Sequence, residues 1–315
     1  MAYVGLQSQI TNNNIKSILL LVMFPVLLLA LVYAFLYFLY SGHIMEDLTY
    51  INYTFIEVIP YVVGVVLIWF LIAYFSNTYI IQRSTGAKPL ERKDNKRVYN
   101  LVENLCMSQG MPMPKINVIE DDSLNAFASG INKKNYTVTL SRGIINKLND
   151  DELEGVIAHE LSHIRNRDVR LLIISIVFVG IFAMLAELAM RSVYYSNFGR
   201  SRNDKGGGII IILLVILVAA IGFVFSSLMR FAISRKREYL ADAGAAEMTK
   251  KPWALASALR KISSDPDIES VTRDDVAQLF IEHPGKQANG VFSSFSGLFA
   301  THPPIAKRIQ VLDQF

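Results

Sequence analysis

The chain has 315 residues, 52% of them hydrophobic, and a formal net charge of +4, with a mean hydropathy of +0.34 that lies above ordinary soluble composition. The charge excess is mild, and the basic residues gather beside apolar runs rather than along a polar face with interleaved aromatics, so nucleic acid is not an expected partner. A single cysteine, Cys106, excludes an internal disulfide and a cysteine-rich zinc cage; it reads as a core residue and leaves histidines and carboxylates as the metal ligands.

Residues 18–40 and 58–81 carry no ionisable side chain except tyrosines, and each exceeds the roughly 20 residues that a helix needs to cross the hydrocarbon core. Both are expected to span, the first as an anchor because it is too long for a signal-peptide core and no clear cleavage site follows it. Between them stand Glu46, Asp47 and Glu57 without a lysine or arginine, whereas Arg83, Lys88, Arg92, Lys93, Lys96 and Arg97 crowd the exit of the second run. The positive-inside rule puts that exit in the cytoplasm.

In the polar stretch that follows, "RVYNLVENL" has helical spacing, and "KINVIED", "NAFASGI" and "YTVTLSR" read as short strands separated by turn-forming residues. Next comes "NDDELEGVIAHELSHIRNR", which opens on the capping residues Asn149 and Asp150 and sets acidic residues at the positive end of a helix. His159 and His163 are four apart, so their imidazoles share one helix face and can hold one tetrahedral metal at about 2.0–2.1 Å each. Glu160, beside the first ligand, is close enough to accept a proton from a water that zinc has made acidic, with a pKa lowered to about 7. The alternative is a charged helix that carries two exposed histidines and no metal.

A catalytic zinc needs a third protein ligand and an open position. Residues 164–168, "IRNRD", do not continue the H-x-x-G-x-x-H pattern. Two further apolar runs follow, 171–190 and 209–229, either as a spanning hairpin or as one that dips into the bilayer. After them, "SRKREYLADAGAAE" sets Glu238 and Asp242 one turn apart. Glu238 can ligate while Asp242 accepts the other N–H of a ligand histidine. All three ligands reach one ion only if the two apolar runs return the chain to the same side.

The ordered set formed by two early apolar helices, "NAFASG", "HELSH", an apolar hairpin, "SRKREYLAD" and "THPPIAKR" resembles the HtpX family of membrane zinc metallopeptidases, related to the CAAX prenyl proteases and to gluzincins. The resemblance implies one zinc ion on His159, His163 and Glu238, with Glu160 as general base and later proton donor and Asp242 orienting a ligand. It further implies that Asn125 and Ala126 line a cleft where backbone groups pair with an extended substrate. It also implies that His302 and Arg308 stabilise the tetrahedral oxyanion.

The expected architecture is therefore an α-helical membrane protein with an α+β zincin-like catalytic domain, about four apolar helices, a small antiparallel sheet and the HExxH helix. Its expected parts are a two-helix anchor at 1–82, the first catalytic part at 83–168, a membrane hairpin at 169–229 and the second catalytic part at 230–315. The expected function is a zinc endopeptidase of the cell membrane with its active site facing the cytoplasm. It would hydrolyse membrane or misfolded polypeptides in quality control under stress, with the bilayer as its other partner. Two other readings compete. A site-2-type intramembrane protease is disfavoured by the charges around the HExxH stretch and by the lack of an N-P-D-G segment; a non-catalytic zinc-binding scaffold or regulator is disfavoured by Glu160, which a structural site does not need. The apolar residues of 285–300 can cover the cleft, touch lipid or grip substrate, and a His-His-carboxylate set also resembles a non-haem iron triad.

Overall fold

The computed structural model describes residues 6–40, 48–171, 173, 235–263 and 303–315. The expected apolar hairpin, apart from residues 171 and 173, the stretch 285–300 and His302 lie outside the described residues. The chain forms two compact units, one of Met1–Lys16, Ser76–Ile173 and Arg230–Phe315, the other of Ser17–Phe75 and Ile174–Met229.

The second unit takes all of its described residues from α1 (Leu6–Tyr40) and α2 (Leu48–Thr85). Within these helices Asn14–Ala34 and Leu48–Ser76 are long and apolar enough to cross a membrane. The shorter stretch, 21 residues, extends about 31 Å at 1.5 Å per residue, close to the hydrocarbon thickness. Large side chains stand outward along it and its neighbour; Tyr61 and Phe75 are 75% and 77% exposed. Water disfavours each such side chain by about 1.5–3 kcal/mol and lipid does not. Pro25 and Pro60 lie inside the helices without ending them. Tyr33 donates to Asn52 at 3.0 Å and meets Phe55 edge-on at 5.1 Å, which ties α1 to α2.

The first unit holds a four-stranded sheet in the order β1-β2-β4-β3, made of β1 (Lys88–Pro89), β2 (Lys115–Ile119), β3 (Ala126–Ser129) and β4 (Thr137–Ser141). The sheet was expected to be antiparallel and is mixed. β3 and β4 form a local antiparallel hairpin, but β4 docks on β2 in parallel, with Ile116 opposite Val138 and Val118 opposite Leu140. The hairpin turn explains this order. Gly130 takes φ +109, and a Cβ there would stand 2.4 Å from the Asn135 carbonyl, while Asn135 Oδ1 accepts from the backbone of Ile131 and Asn132. This turn pairs β3 with β4, and β3 is left at the sheet edge. Val138, Leu140, Thr137 and Thr139 of β4 are all buried, as expected of a strand covered on both faces.

The helices of this unit are α3 (Lys96–Ser108), α4 (Arg142–Lys147), α5 (Asp150–Arg165), α6 (Arg235–Thr249), α7 (Pro252–Ile262) and α8 (Ile305–Leu312). α5 is the central one. Leu153, Val156, Ile157, Ala158 and Leu161 show no exposed surface, and the helix packs against β3, α3, α6 and α7. Its start is fixed by a capping box in which Asn149 Oδ1 accepts from the Glu152 N–H and the Glu152 carboxylate accepts from the Asn149 N–H. Loss of such a cap costs about 1 kcal/mol. Glu152 also accepts from Ser257 and Lys261 of α7, both at 2.7 Å, so a single carboxylate caps α5 and anchors it to its neighbour.

Candidate metal centre

Helix periodicity sets His159 and His163 one turn apart on α5 and Glu238 and Asp242 one turn apart on α6. The helices approach closely because residue 244 is glycine: a Cβ there would stand 2.6 Å from Ser162 Oγ and 3.1 Å from Arg165 Nη2. Across this contact His159 Nε2 lies 3.2 Å from His163 Nε2 and 3.6 Å from Glu238 Oε2, and His163 Nε2 lies 3.5 Å from Glu238 Oε1. A tetrahedral zinc with bonds of about 2.0–2.1 Å sets its ligand atoms about 3.3–3.4 Å apart. The three donors therefore fit one such ion, and among the described residues no other group of three His, Cys, Asp or Glu side chains converges in this way.

The far sides of both imidazoles are engaged by carboxylates. His159 Nδ1 stands 2.9 Å from Asp242 Oδ1, and His163 Nδ1 stands 3.1 Å from Asp168 Oδ2. A carboxylate on Nδ1 makes that nitrogen the N–H, turns the Nε2 lone pair toward the common point and raises its basicity. Asp242 is itself gripped by Arg308 of α8, which donates through Nε to Oδ2 at 2.9 Å and through Nη2 to Oδ1 at 2.7 Å. Arg308 Nη1 lies 3.5 Å from Glu238 Oε2, and Arg308 has no exposed surface. Burial alone would raise the Asp242 pKa, but the charge of Arg308 and the bonds from His159 and Arg308 hold its carboxyl below the usual range.

Glu160 is buried between these groups and β3. Burial is the main influence on its carboxyl and Glu238 adds to it, so its pKa is raised even though His159 and His163 act the other way and it accepts a backbone hydrogen bond from Ala128. A raised carboxyl is suited to passing a proton in both directions near neutral pH. Burial would lower the His159 pKa, but its bonds to Asp242 and Glu238 prevail and push it up to about 9.

Asn125 and Ala126, expected to line the cleft, sit at the start of the edge strand and are buried. The Asn125 N–H donates to Ser141 Oγ at 3.0 Å, and its side-chain Oδ1 accepts from Ala126 N–H at 2.8 Å. The outward N–H of Ala126 thus meets Asn125 Oδ1 and that of Ala128 meets Glu160. By antiparallel alternation these are the residues that turn away from β4. His159, Glu160, His163, Glu238, Asp242 and Arg308 come together in one cluster, buried except for the partly exposed His163; His302 lies outside the described residues.

Sequence reasoning missed Asp168, which entered it only as a break in another motif. It lies beyond the end of α5, where Arg167 takes φ +61 and turns the chain back, so no helical period points to it. Arg237, just before Glu238, faces Asp168 at 3.6 Å.

The peptidase family M48 matches residues 92–315 of this chain. The chain is 68% identical to a protease HtpX homolog of Bacteroides fragilis over all of both chains. It is 41% identical to one of Dictyoglomus turgidum over 78% of this chain and 81% of that one. Among solved structures it is similar to S. mikatae Ste24p, at 21% identity and a TM-score of 0.49, covering 96% of this chain and 67% of that one. The M48 match over residues 92–315 and the 68% identity over the whole chain make this chain a member of the HtpX proteases of peptidase family M48, and a metallopeptidase.

Proposed function

We propose that the protein is a zinc endopeptidase of the cell membrane that hydrolyses peptide bonds of membrane or misfolded proteins from a site facing the cytoplasm. The observation that carries the reading is the convergence of His159, His163 and Glu238 within 3.2–3.6 Å, each imidazole with a carboxylate on its other nitrogen. A bound zinc would polarise the scissile carbonyl and make an attacking water more acidic.

The chain's own residues then supply the rest. Glu160 receives the proton that the attacking water loses as its oxygen bonds to the carbonyl carbon. Glu160 later delivers that proton to the amide nitrogen as the C–N bond breaks, and its raised pKa supports both transfers. Asp242 and Asp168 hold the two histidines in one tautomer and one orientation. Arg308 fixes Asp242, and its buried positive charge favours negative charge developing beside Glu238; His302 is the second proposed donor to the oxyanion. An extended substrate would pair with the outward edge of β3 near Asn125 and Ala126, displacing the side-chain acceptors now on those N–H groups. Recognition through the peptide backbone tolerates many side chains, which fits a quality-control substrate range. The proposed division of labour is an anchor at 1–82, catalytic parts at 83–168 and 230–315, and a membrane hairpin at 169–229. The cytoplasmic side is supported by the basic residues at the end of α2.

The test is hydrolysis of an unfolded protein substrate by detergent-purified wild type and Glu160→Gln loaded with equal zinc. Cleavage by wild type alone supports the reading; equal cleavage removes Glu160 from its role. Zinc content of His159→Ala equal to wild type would remove the ligand assignment.

A further inference from the structure

Away from the metal centre, the first unit contains a cavity of about 390 Å³, within the range of small-ligand sites. Its charged lining residues are Lys133 from the β3–β4 turn and Arg165, Arg167 and Arg170 at and beyond the end of α5. Among the described residues no carboxylate lines it. The C-terminal end of a helix attracts cations in any case, which accounts for Arg165. It does not account for Lys133, which arrives from the sheet, or for Arg170, which lies past the helix end.

Three observations point to an anion as the ligand of this cavity. Among the described residues the buried Nε groups of Arg165 and Arg170 meet no hydrogen-bond acceptor, although buried donors are almost always satisfied. Arg167 occupies φ +61, where glycine would be unstrained, and its side chain lines the cavity. Burial pushes the Tyr136 phenol, another wall residue, up in pKa, and the charges of Arg167 and Arg170 both act against that, so the two cations flank one point. Some of the charge is already engaged: Arg165 bonds to Gln109 and Glu247, and Arg167 Nη1 donates to Asn14 Oδ1 at 3.0 Å. Among the described residues no side chain pairs with Lys133, and none accepts from the Nε of Arg170.

The position adds to this. Asn14 begins the membrane-length stretch Asn14–Ala34, and Arg170 directly precedes the apolar run 171–190. Along the chain, Arg170 and the Asn14 partner of Arg167 thus adjoin the starts of two apolar runs, and basic residues next to such runs are the ones that meet lipid headgroups.

We propose that this basic cavity binds a phosphate group, carried either by an anionic phospholipid headgroup or by a soluble phosphate. Guanidinium groups suit that ligand because their paired N–H donors match tetrahedral oxyanion edges.

The test uses the full-length chain in detergent with two probes: vesicles of phosphatidylcholine with and without phosphatidylglycerol, and inorganic phosphate compared with chloride at equal ionic strength. Two variants accompany wild type. Lys133→Gln/Arg170→Gln removes two cations. Arg167→Gly removes one at a position where glycine relieves backbone strain, so its folding is not expected to suffer. Each variant is expected to bind at least about tenfold more weakly. Retention of phosphatidylglycerol but not phosphatidylcholine, lost in the variants, supports the site with lipid as its source. Saturable phosphate binding, lost in the variants without lipid retention, supports it with a soluble ligand. Wild type that binds neither probe, or folded variants that bind as wild type does, would overturn the proposal.

Discussion

Asp168→Asn isolates what a carboxylate behind a proposed metal ligand contributes. Asp168 Oδ2 sits 3.1 Å from His163 Nδ1, and its other oxygen faces Arg237 at 3.6 Å. The amide keeps the volume and can keep an acceptor on the imidazole N–H, but it removes the charge that makes Nε2 a better donor. Loss of such a partner lowers metal affinity by about 10–100-fold, or ~1.4–2.7 kcal/mol at 1.36 kcal/mol per decade. Because an acceptor survives, the expected loss lies at the low end, about tenfold. Competition against a chromogenic chelator at neutral pH measures it, with far-UV circular dichroism to show that the helices persist. Asp242→Asn should be far more damaging, since Arg308, without exposed surface, would lose the closer of its two carboxylate partners in a setting where a broken buried pair costs about 3–5 kcal/mol. An Asp168→Asn protein that is folded and binds metal within about twofold of wild type would refute the reasoning. It would mean that helix geometry alone positions His163.

Gly244→Ala puts a Cβ 2.6 Å from Ser162 Oγ, so α6 must move off α5; a stability loss of about 1–3 kcal/mol is expected. Metal affinity should fall with it, since Glu238 and Asp242 ride on the same helix, and chelator competition together with urea unfolding checks both. Burial opposes ionisation of Glu152, but Lys261, Ser257 and the Asn149 N–H hold its pKa below the usual carboxylate range. Its stabilisation is therefore present above the unfolded value of about 4.3 and is lost as pH falls through the lower folded value. Glu152→Gln should flatten that acid decline, and unfolding midpoints that fall with acid as steeply as in wild type would contradict it.

The parts of the site that follow local periodicity could be read in the sequence: His159 with His163, Glu238 with Asp242, and the cap at Asn149. Those that depend on tertiary meetings could not. Arg308 and Asp242 are 66 residues apart in the chain, and nothing around "IAKR" reveals that its arginine closes both Nε and Nη2 on a carboxylate. The parallel pairing of β2 with β4 was equally hidden, because short strands advertise their faces through alternation but not their neighbours. β1 is two residues long, too short to show a period at all. α2 begins ten residues before the expected apolar run because Tyr, Asn and Thr at 49–54 interrupt the hydropathy signal without interrupting a helix.

Charge in the metal centre argues for a divalent ion independently of ligand spacing. Glu160, Glu238, Asp242 and Asp168 are all buried, as are Arg237 and Arg308. Four carboxylates and two guanidinium groups leave a charge of −2 if both imidazoles are neutral, and uncompensated buried charge of that size is strongly unfavourable. Without an ion, protons take up the difference, and the two groups so affected are His159, pushed up to about 9, and Glu160, also raised. Ion and protons therefore compete for one deficit, so zinc loading at neutral pH should release protons, about one to two per site. Calorimetry in buffers of differing ionisation enthalpy counts them. Loading that releases none would mean that the carboxylates are balanced by something other than the metal, and that the His159 and Glu160 environments have been misread.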